Sequence, residues 1–135
     1  MPHLVILYTP NIETETDMTA LCRRLADTML AQRDEAAGAQ LFPTGGTRVL
    51  AYPAAHCAVA DGQADYAFVY LNLRMAAGRT EATKKRVGDA LLAAAQGHFA
   101  PLVAQRPVGI TLQIDESPGQ VYDGKLGNLH PLFNR

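Results

Sequence analysis

Three positions in this 135-residue chain carry side chains that could do chemistry together: Pro2, Arg48 and Arg79. A proline directly after the initiator methionine becomes a free secondary amine once that methionine is removed. A chain-terminal amine titrates at about 7.7–8.0. A pyrrolidine nitrogen is intrinsically more basic, while an apolar pocket or nearby cations disfavour its ammonium form and pull the value down. An amine tuned towards about 7 is suited to take a proton from carbon and return it. Arg48 follows the glycine-rich turn Gly45-Gly46-Thr47, and Arg79 follows Ala77-Gly78 at the mouth of a helix. A planar guanidinium grips a carboxylate through two parallel N–H donors, so two of them could orient a small dicarboxylate. Each also has a bland reading. Many chains begin Met-Pro without using the amine, and a lone arginine is most often a solvated surface residue.

Other reactive side chains fall into weaker settings. Ser117 is the only serine, with no histidine and carboxylate placed beside it as a triad. Cys22 falls on an apolar helix stripe and reads as core packing. Cys57 follows His56, but neighbours in an extended segment point opposite ways, so a Cys/His pair is not expected. A disulfide between the two cysteines is open in principle, yet nothing suggests a stapled secreted domain. His3, His56, His98 and His130 are scattered, without a Cys-x-x-Cys or histidines at i, i+4, so no metal is expected. Gly45 and Gly46 lack the Gly-Lys-Ser/Thr ending of a phosphate loop. Arg23, Arg24, Lys84, Lys85 and Arg86 are assigned to solvated helix faces.

The elements that must position these groups follow from periodicity. Leu4 to Tyr8 is a continuous apolar run, the pattern of a strand covered on both faces. Met18, Leu21, Cys22, Leu25 and Met29 recur at spacings of three and four, predicting a helix from about Glu15 to Ala37. Thr14 or Thr16 would cap it, with Glu15 and Asp17 in its first turn and Gly38 as its stop. A strand is expected from Thr47 to Tyr52 and another from Tyr66 to Met75. A second helix runs from about Thr80 to Gln105, striped by Val87, Leu91, Ala95, Phe99 and Leu102 and closed by Pro107. Val108 to Asp115 alternates most cleanly of all, with Val108, Ile110, Leu112 and Ile114 facing one way.

The two halves, about residues 1–60 and 61–135, show the same order of elements at nearly constant offset. One domain built from a duplicated β-α-β unit is therefore expected, with right-handed crossovers. Its fold class is α/β (α+β), a four-stranded mixed sheet with both helices on one face. The strands are apolar or aromatic on both sides, so the uncovered face should pack against other subunits.

Composition narrows the partners. Apolar residues make up 48% and charged residues 19%, as in ordinary globular domains. With 12 basic and 13 acidic side chains the formal charge is −1, unlike domains that hold nucleic acid by neutralising phosphates. No apolar run reaches the length of a membrane span, and no basic region precedes an apolar stretch at the start. A cytoplasmic protein without nucleic-acid or membrane partners is the expectation.

At this point the residues resemble a known family. Met1-Pro2-His3, the run Ala60-Asp61-Gly62-Gln63-Ala64-Asp65-Tyr66-Ala67-Phe68-Val69, the junction Ala77-Gly78-Arg79, His98-Phe99 and the ending Asn128-Leu129-His130-Pro131-Leu132-Phe133 are similar to 5-carboxymethyl-2-hydroxymuconate isomerases. These belong to the tautomerase superfamily, whose members share an amino-terminal proline. The resemblance implies a homotrimer of tautomerase/MIF-like subunits, with the carboxy-terminal segment packed on a neighbour. It implies an isomerase that moves a double bond in a carboxylated dienol or ketone formed during bacterial breakdown of homoprotocatechuate. Pro2 matches the family's catalytic base, and Arg48 and Arg79 its carboxylate-binding arginines; no cofactor is implied. Two departures are visible, one of them a loop around Asp34 to Gln40 that is longer than usual. The family's segment before strand two has arginines two positions apart, whereas here Arg48 is followed by Val49 and Leu50. Two other readings remain open: a tautomerase of another 2-oxo acid, and a non-catalytic oligomeric module that binds small acids.

Overall fold

The computed structural model describes residues 2–35 and 38–133. Its strands are β1 (His3–Tyr8), β2 (Arg48–Pro53), β3 (Ala67–Ala76) and β4 (Val108–Ser117), and its long helices are α1 (Met18–Leu30) and α2 (Glu81–Val103). The strands form one sheet in the order β2-β1-β3-β4. β1 runs parallel to β2, β3 runs parallel to β4, and the antiparallel β1–β3 pair joins the halves at the centre. Each half of the chain is thus a β-α-β unit, in a four-stranded mixed sheet of the expected class.

Strand alternation decides which side chains meet the helices. Leu4, Ile6 and Tyr8 of β1 and Ala67, Val69, Leu71, Leu73 and Met75 of β3 are buried. They pack in one core with Leu21, Leu25 and Met29 of α1 and Val87, Leu91, Ala95 and Phe99 of α2. Both helices therefore cover the same face. On the other face Leu7, Leu50, Tyr52 and Phe68 remain 36% to 50% exposed.

The first helix is shorter than its expected Glu15–Ala37 range, whose last two residues lie outside the described ones. Neither Thr14 nor Thr16 caps it; the Asp17 carboxylate accepts from the Ala20 amide at 3.0 Å. The apolar stripe ends at Met29, and beyond Ala31 nothing repays burial of another turn. The backbone instead folds back: Arg33 bridges Gln40, and the Asp34 amide donates to the Ala39 carbonyl at 2.7 Å. Gly38 serves this turn at φ +65° rather than stopping the helix. The second helix begins at Glu81, capped by Thr80, whose hydroxyl accepts from the Thr83 amide at 3.1 Å, and ends at Val103, short of Gln105.

Two of the cations assigned to solvated faces do more. Lys84 bridges Glu81 at 2.6 Å and Glu116 at 3.0 Å, tying α2 to β4. Arg86 pairs with Glu35 at 2.7 Å and donates to the Arg33 carbonyl at 2.6 Å, anchoring the turn after α1.

Candidate active site

Pro2 is buried at the head of β1. In the next position, His3 is paired with Arg48 on β2 and with Arg74 on β3. Arg48 is half-buried and reaches its place through a 3-10 turn, Thr44–Gly46. The Thr47 hydroxyl donates to the Pro43 carbonyl at 2.9 Å, and an Arg48 Nη1 donates to the Gly46 carbonyl at 3.2 Å. Gly45 has a packing reason rather than a phosphate-binding one. A Cβ there would lie 2.8 Å from His130 Nδ1 and 2.9 Å from His130 Cα, because the carboxy-terminal turn His130–Phe133 crosses directly over it.

Arg79 lies at the same end of the sheet, just beyond the last residue of β3. Gly78 precedes it at φ +113°, a backbone conformation that disfavours any side chain with a Cβ. The guanidinium is half-buried and fastened, not solvated. Nη1 donates to the Ala76 carbonyl at 2.8 Å and Nη2 to the Leu41 carbonyl at 3.4 Å. It stands over the ring of Phe42, 5.3 Å from the centroid, a contact that holds a cation over a π face. Its Nε is buried without a hydrogen-bond partner among the described residues.

The structure thus brings Pro2, Arg48 and Arg79 to one end of the sheet in different settings. Arg48 belongs to the uncovered face beside His3; Arg79 is docked against a core aromatic. Periodicity missed Phe42, which sits in a Pro/Gly-rich loop and is nevertheless fully buried. It also missed Arg74, although Arg74 is the one charged position in the outward series Phe68, Tyr70, Asn72, Arg74 of β3.

The opposite end of the sheet is built for structure. The Tyr8 hydroxyl donates to Glu13, and burial together with that carboxylate pushes the phenol up to about 12. Arg106, with its side chain only 12% exposed, pairs with Glu15 at 2.6 Å and Asp65 at 3.0 Å. Its Nη1 also donates to the Asn11 carbonyl at 3.3 Å, locking α2 to the segment after β1. Cys22 and Cys57 are free thiols, and burial raises Cys22 above the usual thiol range, which leaves it a poor nucleophile. Among the described residues, no group of three or more His, Cys, Asp and Glu could hold a metal, and no helix is long and apolar enough to cross a membrane.

Two β-α-β units sharing one sheet, with both helices on one face, define a tautomerase/MIF-like fold. A macrophage migration inhibitory factor-like protein from Entamoeba histolytica has this fold at a TM-score of 0.51 and 11% identity, covering 90% of this chain and 95% of that one. The sequence carries the assignment further. The family model for 5-carboxymethyl-2-hydroxymuconate isomerase matches residues 2–133, and the chain belongs to that family. The Escherichia coli 5-carboxymethyl-2-hydroxymuconate Delta-isomerase is 30% identical over 133 residues, 98% of this chain and 99% of the relative. A crystal structure of a 5-carboxymethyl-2-hydroxymuconate delta-isomerase superposes at a TM-score of 0.94 with 55% identity, covering 100% of this chain and 94% of that one. A 5-carboxymethyl-2-hydroxymuconate isomerase from Deinococcus radiodurans R1 follows at 0.83 and 36%, covering 99% and 95%.

Proposed function

We propose that this protein isomerises 5-carboxymethyl-2-hydroxymuconate, moving a proton along a conjugated, multiply carboxylated enol, with Pro2 as base and acid. Removal of Met1, which lies outside the described residues, turns the Pro2 nitrogen from an amide into an amine. That amine takes a proton from one end of the conjugated system and returns it to carbon at the other. The intervening double bond shifts, and no electrons are gained or lost overall. Arg48 and Arg79 hold carboxylates and stabilise the negative charge that spreads over the dienolate. The observation that carries this reading is the family match over residues 2–133, which begins at Pro2.

The same reading makes the protein a homotrimer. Its support is the apolar, uncovered sheet face at Leu7, Leu50, Tyr52 and Phe68, and the carboxy-terminal segment, whose Val121, Tyr122 and Leu126 lie off the chain's own core.

Intact mass of the purified protein, paired with an ultraviolet assay of 5-carboxymethyl-2-hydroxymuconate, tests the reaction. A mass short by one methionine is expected, with turnover that falls by about two to four orders of magnitude in Pro2→Ala. Arg48→Ala and Arg79→Ala should weaken both binding and turnover while leaving the fold intact. Full turnover by Pro2→Ala would remove the proline mechanism. A protein that stays inert with a free Pro2 amine would instead be a small-acid-binding module.

A further inference from the structure

On the uncovered face, the row nearest Pro2 crosses all four strands as Arg48, His3, Arg74 and Asp115. A cleft of about 370 Å³ opens at this row, lined among others by His3, Arg74, Ser117, Gln120 and Asp123. Among the described residues, the Arg74 guanidinium has neither an ion-pair nor a hydrogen-bond partner. Carboxylates are close in the fold, but each is engaged elsewhere. Asp115, the register partner of Arg74, accepts from Asn72 Nδ2 at 2.8 Å. Glu116 is held by Lys84 at 3.0 Å, and Asp123 by Lys125 at 2.6 Å. His3 adds a second unmet capacity, since its Nδ1 is buried without a hydrogen-bond partner.

A guanidinium without a counter-ion, beside an imidazole with an unused nitrogen, is a receptor for an anion; the planar fork of arginine suits a carboxylate best. The row's position also fits a ligand. Apolar Leu50 and Val5, then Tyr52 and Leu7, occupy the next rows along the strands, so the polar row lies at the end of the sheet, beyond the apolar surface. Arg48 and Arg74 flank β1, which puts their backbones about 10 Å apart, a span that two long side chains can close around one multiply charged molecule.

We propose that Arg74, with His3, forms a second anion subsite that takes the carboxymethyl carboxylate of the substrate, remote from the carboxylates held at Arg48 and Arg79. The identity of the ligand rests on the function proposed above; the subsite itself rests on the cleft and its unpartnered groups. Kinetics with two substrates test it: 5-carboxymethyl-2-hydroxymuconate, and 2-hydroxymuconate, which lacks the extra carboxylate. Arg74→Met should raise KM for the first relative to the second by about tenfold or more, with the loss confined to KM. An unchanged KM ratio, or equal losses on both substrates, overturns the subsite. If the unaltered protein turns over neither compound, the reaction proposal fails and calorimetric titration with propane-1,2,3-tricarboxylate decides the subsite separately. About tenfold weaker binding to Arg74→Met than to the unaltered protein then upholds it. Equal affinity, or no binding to the unaltered protein, overturns it.

Discussion

Arg79 and His98 show how far a residue's type falls short of its behaviour. Arg79 reads in sequence as either a ligand-binding or a solvated arginine, and the structure makes it a cation fastened to two carbonyls and an aromatic face. His98 reads as one of four scattered histidines. Its Nε2 lies 2.9 Å from the Thr16 hydroxyl, and its ring meets Phe99 edge-on at 5.0 Å. Burial holds its pKa below the ordinary 6.5; the Arg24 charge pushes the same way, and Asp17 opposes them. A histidine lowered by folding binds fewer protons in the native state than in the unfolded chain. Its contribution is therefore present above about 6.5 and lost as the pH falls towards the lower folded value. His98→Gln keeps a partner for Thr16 but cannot titrate. Urea unfolding at a fixed protein concentration should show a smaller stability loss between pH 7 and pH 5 in His98→Gln than in the unaltered protein. Equal losses would mean that other groups carry the whole pH dependence.

At the scale of elements, short turns decide where the site residues stand. β2 starts at Arg48 because a 3-10 turn precedes it, and that turn is braced by the carboxy-terminal turn through the approach of His130 to Gly45. Gly45→Ala should force the two turns apart and lower stability by about 1–3 kcal/mol. A chain ending at Asn128 lacks His130, so the same substitution should there cost almost nothing, as measured by thermal or urea unfolding. A loss of equal size in both backgrounds would place the cause elsewhere. The helices and strands themselves were legible in the sequence, since their burial stripes are the periodicities that Met18, Leu21, Leu25 and Met29, or Val69, Leu71 and Leu73, display. Their ends were less so. The stop of α1 comes from a fold-back whose contacts, Arg33 to Gln40 among them, leave no periodic trace.

For the whole molecule, the two-faced sheet is the feature with most consequence. One face is sealed by both helices, and the other offers Leu7, Leu50, Tyr52 and Phe68 to solvent in the isolated chain. Covering that face with further copies removes the apolar rows from water. A charge placed there should prevent it. Leu50→Lys is expected to raise the dissociation constant of the oligomer by at least about tenfold, because an unpaired ammonium would have to be desolvated. Sedimentation velocity across a concentration series measures this, and an unchanged distribution would remove β2 from the interface.

From the sequence alone came the element order, the duplicated β-α-β plan, the bare sheet face and the candidacy of Pro2, Arg48 and Arg79. Each of these is written locally, in a repeating spacing or in a residue's place next to a turn. Only the tertiary structure decided that Phe42 stands beneath Arg79, that His130 closes over Gly45, and that Arg48, His3 and Arg74 form one row. Those residues lie far apart in the chain, and pairing across strands and packing across the core bring them together. No periodicity within a single segment records such a meeting.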